Sequence, residues 1–415
     1  MAEQFHVKTL PNGLAVLAQP MPHVSSAAMT LAIPAGSSHD PEASAGLAAV
    51  GAEWRMRGAG DRDSKALLDA LDALGVHHHH SARSQHVVFS AVQLGRNLRD
   101  VLEIYADIIL RPRLEDSTFQ PARDLVLQDR RSYADEPARE ANMLLRERFY
   151  PWPMGRCPLG EEATLLTLSA GDVRGRLTAS FPSHGAILAV AGNVDPGELE
   201  RTVEDLFGPW DTPALAPQPA EEAAGGVTHI QRDTAQTHLA MAQPSVPLAH
   251  EQYYPARLAE TVLSGGMSGR LFTEVREKRG LAYHVSTQYH SLLSCAGLFT
   301  YAGTRPELAQ ETFDVTVGEL RKLSDGVSDE EITRARTQMK SSLVMQGEST
   351  SARSAALVSD WYYLGKLRTL DDVAAAVDAV TADDVVRHAR EYPPGEMTIL
   401  VLGPEPVETS RPEDV

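Results

Sequence analysis

Leu168-Ser169-Ala170-Gly171-Asp172-Val173 leads through Phe181-Pro182 into the apolar run Ala186-Ile187-Leu188-Ala189-Val190-Ala191-Gly192. The same order returns further along the chain. There Val380-Thr381-Ala382-Asp383-Asp384-Val385 leads through Tyr392-Pro393 into Met397-Thr398-Ile399-Leu400-Val401-Leu402-Gly403. Asp172 and Asp384 are 212 residues apart and Gly192 and Gly403 are 211 apart, so two landmarks keep one period to within a residue. A period of half the chain signals an internal duplication.

Ser169 and Thr381 each stand three residues before an Asp, the spacing of a capping box with Asp in place of Glu, so each is expected to open a helix. Those helices should stop before Pro182 and Pro393. The apolar runs that follow, rich in Val, Ile and Leu and closed by Gly, predict buried strands. Upstream, Leu98–Ile109 followed by Leu114-Glu115-Asp116 parallels Leu308–Leu320 followed by Val327-Ser328-Asp329. Each reads as a helix, a turn and a second helix with an acidic first turn that suits the helix dipole. Residues 213–226 (PALAPQPAEEAAGG) have few large apolar side chains and read as a linker. The expected class is α+β, with homologous domains at 1–212 and 227–415 related by duplication.

The 38 Lys and Arg against 56 Asp and Glu leave a formal charge of -18, which disfavours nucleic acid and anionic lipid as partners. Cys157 and Cys295 are the only cysteines, too few and too far apart for a disulfide framework or a CxxC site. No apolar run reaches membrane-spanning length and the start lacks a basic-then-apolar leader pattern, so a cytoplasmic protein with no membrane partner is expected.

A helical zinc peptidase site needs two His four residues apart on one face, with a Glu between them as base. Among the 15 His no pair has that spacing, so neither HExxH nor HxxEH occurs. His77-His78-His79-His80 precedes the strand-like Gln85–Val92. Alternate His of a strand share a face and could capture a metal, but a polar edge strand is the favoured reading. Ser264-Gly265-Gly266-Met267-Ser268-Gly269 lacks the GxxxxGK[ST] pattern and reads as a helix entry or chain hinge. Beyond it Arg276 and Tyr283 lie seven apart, with Gly280 expected to end a helix between them. An Arg can hold a carbonyl or carboxylate, and a Tyr can donate to an oxyanion.

Gly265-Gly266-Met267-Ser268-Gly269-Arg270-Leu271-Phe272 through Arg276-Glu277-Lys278-Arg279-Gly280-Leu281-Ala282-Tyr283 resembles the C-terminal-domain signature of the pitrilysin and mitochondrial-processing-peptidase family of inverted-motif zinc peptidases. Gly297-Leu298-Phe299, Gln236-Thr237-His238-Leu239, Ala191-Gly192-Asn193-Val194-Asp195-Pro196 and Leu10-Pro11-Asn12-Gly13-Leu14 are similar to other landmarks of that family. The likeness runs from about residue 5 to about residue 405 and implies two domains, each a mainly antiparallel sheet packed against helices.

Active members carry HxxEH in the first half. The matching stretch here is Gly46-Leu47-Ala48-Ala49-Val50-Gly51-Ala52-Glu53, so Ala49 replaces the first His, Ala52 the base and Glu53 the second His. The distant acidic ligand falls in Leu125-Val126-Leu127-Gln128-Asp129-Arg130, with Asp129 as the remaining candidate. No metal is expected in this chain. The family's Arg and Tyr match Arg276 and Tyr283. In the bacterial two-subunit members one chain holds zinc and the other supplies that pair. The resemblance therefore implies a subunit that is not an enzyme on its own, paired with a homologous HxxEH subunit that carries the zinc and cleaves a peptide substrate. The alternative is a catalytically inactive peptide-binding or scaffold protein of the same fold.

Overall fold

The structure, a computed structural model, describes residues 3–179, 181–395 and 397–409. The chain opens with β1 (His6–Thr9), β2 (Ala15–Pro20) and β3 (Ser26–Ile33), then α1 (Leu47–Arg55). A small hairpin, β4 (Gly58–Ala59) and β5 (Arg62–Asp63), precedes α2 (Ser64–Ala73), β6 (His77–Ala82) and β7 (Val87–Leu94). Helices α3 (Leu98–Leu110), α4 (Asp116–Asp135), α5 (Pro137–Phe149), α6 (Glu162–Thr167) and α7 (Ala170–Ala179) lead to β8 (Ile187–Gly192) and α8 (Pro196–Phe207). The second series is β9 (Val227–Gln231), β10 (Thr237–Ser245), α9 (Tyr253–Ser264), a π-helical turn (Phe272–Glu277), β11 (Ala282–Ser291) and β12 (Ala296–Thr304). It ends with α10 (Ala309–Lys322), α11 (Asp329–Gly347), α12 (Thr350–Leu364), α13 (Leu370–Ala379), α14 (Ala382–Glu391) and β13 (Thr398–Gly403). No helix among the described residues is long and apolar enough to cross a membrane.

The chain divides into two compact units. The first takes described residues of 1–132, 152–221 and 346–367, and the second those of 133–151, 222–345 and 368–415. Each unit thus includes a helical segment from the other linear half: α12 belongs to the first and α5 to the second.

In the first unit six strands run in the order β1-β2-β8-β3-β7-β6, with only β2 and β8 parallel. Alternation along the strands sends Val16, Met29, Leu31, Phe89, Leu188 and Val190 to one face, where they meet Ala52, Leu67, Leu71, Val101, Tyr105 and Val203 from the helices. Ala15, Leu17, Ile187 and Ala189 point to the other face and pack against Leu357 of α12. The buried Ser354 hydroxyl of α12 also meets Thr30 Oγ1 at 2.9 Å, and Arg353 donates to Gln19 at 2.8 Å.

In the second unit the order is β11-β12-β10-β13-β9, with β9 and β13 the parallel pair. Written outward, β2-β8-β3-β7-β6 and β9-β13-β10-β12-β11 are the same sheet twice, with the same directions. The duplication read from Asp172/Asp384 and Gly192/Gly403 is therefore a repeat of topology. Both capping boxes form. Ser169 Oγ accepts from Asp172 N at 3.2 Å while Asp172 accepts from Ser169 N, and Thr381 and Asp384 make the same exchange. Both apolar runs are fully buried strands, β8 and β13.

Candidate functional site

Helix α1 carries Ala49, Ala52 and Glu53, the positions that the resemblance aligns with HxxEH. It starts after Gly46, whose φ of +99° suits glycine, and the Asp40 carboxylate accepts backbone hydrogen bonds from Gly46 and Ala48 at 3.1–3.2 Å. Burial pushes the Asp40 carboxyl up to about 7, although these amides and the nearby Arg156 and Arg176 favour its ionised form. Ala49 is buried in an apolar cluster with Val126 and Leu127 of α4 and Val173 and Leu177 of α7. Ala52, one step round the helix, belongs to the core against the sheet.

Glu53 is the one polar group left on that face, and its side chain is 12% exposed. One carboxylate oxygen meets Arg57 at 2.6–2.8 Å and the other meets His80 Nε2 at 2.9 Å. Burial works against the Glu53 charge, but His80 and Arg57 outweigh it and hold the carboxyl below its ordinary range. Asp129 lies exposed on α4, and no hydrogen bond or ion pair joins its carboxylate to Glu53. The zinc of the inverted motif does not fit here: alanine methyls occupy two positions, the third is engaged by a cation, and the described residues contain no group of three or more metal-capable side chains.

One residue of α1 escaped the sequence reading. Arg55 is 2% exposed, with no carboxylate partner among the described residues. Its guanidinium donates to the carbonyls of Ile108 and Ile109 at 3.2 and 2.8 Å and to that of Leu177 at 3.0 Å, and it lies 4.0 Å over the Phe181 ring. Those carbonyls belong to the last turns of α3 and α7, where unpaired acceptors and the negative end of the helix dipole favour a cation. The signal was an Arg inside an otherwise apolar helical face.

Arg276 and Tyr283 are brought together. Gly265 to Gly269 connect α9 to the next turn. Arg270 then fixes the chain by a two-pronged ion pair to Glu331 at 2.7 and 3.0 Å and a bond to the Gly326 carbonyl. The hydrogen bonds from Arg270 pull the Glu331 carboxyl down to about 2. From there the backbone winds as a π-helical turn, with the Lys278 amide reaching back five residues to Thr273. Gly280, with φ +62°, ends it as expected.

Tyr283 occupies a bulge. Ala282 pairs with Thr304 and His284 with Gly303, so Tyr283 has no partner in β12 and its ring stands 81% exposed. The Arg276 guanidinium lies 4.9 Å from the Phe272 ring centre and 5.3 Å from the Tyr283 ring centre. Contacts of this kind contribute roughly 0.5–1 kcal/mol at exposed sites and fix the direction of the side chain. Glu274, in the same turn, is taken by Lys278 at 2.6 Å and Arg279 at 2.8 Å, which lower its pKa. Arg276 consequently has no ion pair, and the Tyr283 hydroxyl no hydrogen bond, among the described residues. Phe272, four residues before Arg276, was a helical-spacing signal for the stack, whereas nothing in the sequence marked the bulge.

His77–His80 form most of β6, the edge strand of the first unit's sheet, as expected of a polar edge strand. His80, facing α1, is what holds Glu53.

Comparison with known proteins agrees with this architecture from end to end. A family profile described as Insulinase (Peptidase family M16) matches residues 15–155, and one described as Peptidase M16 inactive domain matches residues 174–339. The chain belongs to peptidase family M16. Two relatives named uncharacterized zinc protease, from Rickettsia felis and Bacillus subtilis, are 28% and 26% identical, over 97% and 95% of this chain and 98% and 97% of their own lengths. Among solved structures, a peptidase M16 inactive domain from Pseudomonas fluorescens superposes with a TM-score of 0.89 at 21% identity, covering 98% of this chain and all of that one. A chain of Complex III2 from Candida albicans reaches 0.84 at 17% identity, covering 96% and 95%. At those identities the likeness is one of fold. It establishes the M16 two-domain architecture, mainly antiparallel sheets packed with helices.

Proposed function

We propose that this M16 chain is the zinc-free subunit of a two-chain metallopeptidase, contributing Arg276 and Tyr283 to a site whose metal is held by a homologous HxxEH partner. The observation that supports this reading is the pair itself: two strong hydrogen-bonding groups, stacked and exposed, with no hydrogen bond or ion pair among the described residues. Zinc on the partner would supply a water of lowered pKa. Arg276 would hold a carbonyl or carboxylate of the peptide, and Tyr283 would donate to the tetrahedral oxyanion, an interaction worth about 3–4 kcal/mol of barrier. A peptide added to a sheet edge would be bound mainly through its backbone, which makes selection tolerant of sequence.

The fold likeness to a Complex III chain favours one rival, a scaffold without a catalytic part. Co-expression with an HxxEH homologue encoded beside it separates the two. Peptide cleavage by the mixture, absent from either chain alone and lost with Arg276→Ala or Tyr283→Phe, is the expected result. Undiminished cleavage by a mixture carrying both substitutions would leave the scaffold reading standing.

A further inference from the structure

We propose that His77 and His79 form a two-imidazole site for a divalent transition metal ion of the zinc class on the exposed face of β6, independent of the replaced positions on α1. Pleating divides the four histidines into two pairs. His78 and His80 turn towards the helices and are half-buried. The His80 ring lies 6.2 Å from Phe89 with its Nε2 on Glu53. His77 and His79 turn the other way and are exposed.

The backbone under them is held by a continuous ladder. His77 pairs with Val92 and His79 with Ser90, and the Ser90 hydroxyl donates to the His79 carbonyl at 3.4 Å. Same-face neighbours in a strand stand about 6.6 Å apart, a separation that two imidazoles can close onto one ion at metal–nitrogen distances of about 2.0–2.1 Å. Neither ring has a hydrogen bond or ion pair among the described residues, so each has a nitrogen free to ligate. Both residues are exposed, which leaves the approach to that face open. Imidazole selects zinc, nickel or copper over magnesium or calcium, and with only two protein ligands the remaining positions would be held by water. The second unit has no counterpart: β11, at the equivalent edge, carries His284 and His290 six residues apart.

Zinc titration of the full chain against a chromophoric chelator tests this directly. One equivalent bound by the wild type is expected, lost in both His77→Gln and His79→Gln and retained in His78→Gln, with melting temperatures showing that all three variants fold. The alternation is the decisive feature, because a histidine run that bound metal without regard to the strand would lose affinity equally in all three. That equal loss would overturn the proposal. So would a wild type that binds no zinc, or binding that persists when both His77 and His79 are replaced.

Discussion

In each unit one helical turn stands beside the strand that closes the sheet, yet the two places treat their charges in opposite ways. At α1 and β6 the Glu53 carboxylate is saturated from within, by Arg57 on one oxygen and His80 on the other. At the π-helical turn and β11 the neighbouring carboxylate Glu274 is consumed by Lys278 and Arg279, and Arg276 and Tyr283 are left to stack on one another with their polar atoms unspent. A charge taken out of water is costly unless the protein pairs it, whereas an exposed one is held by solvent. Unit one pairs its part-buried Glu53, and in unit two the exposed Arg276 has no ion pair among the described residues. On the proposed function, the difference is that between a site converted to structure and one still open to a ligand.

The largest effect that would break this contrast is in activity. With an HxxEH partner present, Tyr283→Phe should lower kcat/KM by about 10^2–10^3-fold while leaving the melting temperature unchanged, because the hydroxyl supports nothing in its own unit. Arg276→Ala should act in the same direction, with part of the loss in KM if it holds ground-state substrate. In unit one the largest effect should be on stability instead. Arg55→Ala removes donors from the Ile108, Ile109 and Leu177 carbonyls and vacates a fully buried volume, so a loss of about 3 kcal/mol in chemical denaturation is expected. An Arg55 variant as stable as the wild type would mean that the two helix ends find other partners.

Much of this was legible before any coordinates. The period between Asp172 and Asp384 and between Gly192 and Gly403 carried the duplication, since capping boxes and buried parallel strands leave local, repeatable residue patterns. Arg276 and Tyr283 were singled out by a motif of fixed spacing, and the structure stacks them. Three features were not. The membership of α5 and α12 in compact units drawn from the opposite halves depends on which sheet face was left uncovered, a tertiary fact with no local code. The bulge at Tyr283 is a register shift set by β12, and the sequence Gly280-Leu281-Ala282-Tyr283 does not announce it. The clamp on Glu53 joins residues 27 apart in sequence, and only the placement of His80 on the inward face of β6 makes it visible.

The smallest effect is the one that bears most directly on what became of the metal position. If Glu53 is now structural, Glu53→Gln should leave partner-dependent cleavage unchanged and cost about 1 kcal/mol of stability at neutral pH, the worth of a partly buried charge-assisted hydrogen bond. Its pH dependence has a definite sign. The carboxyl is held below its unfolded value of 4.5 by His80 and Arg57 despite burial, so the folded state binds fewer protons than the unfolded state as the pH falls through that range. The stabilisation is therefore complete above pH 4.5 and is lost progressively below it. Denaturant melts of wild type and Glu53→Gln should differ at pH 7 and converge on acidification. A difference that stays constant down to low pH would show that the side chain acts through packing and not through its charge. An equal loss in a His80→Gln variant, with no further loss when the two substitutions are combined, would assign the effect to the pair.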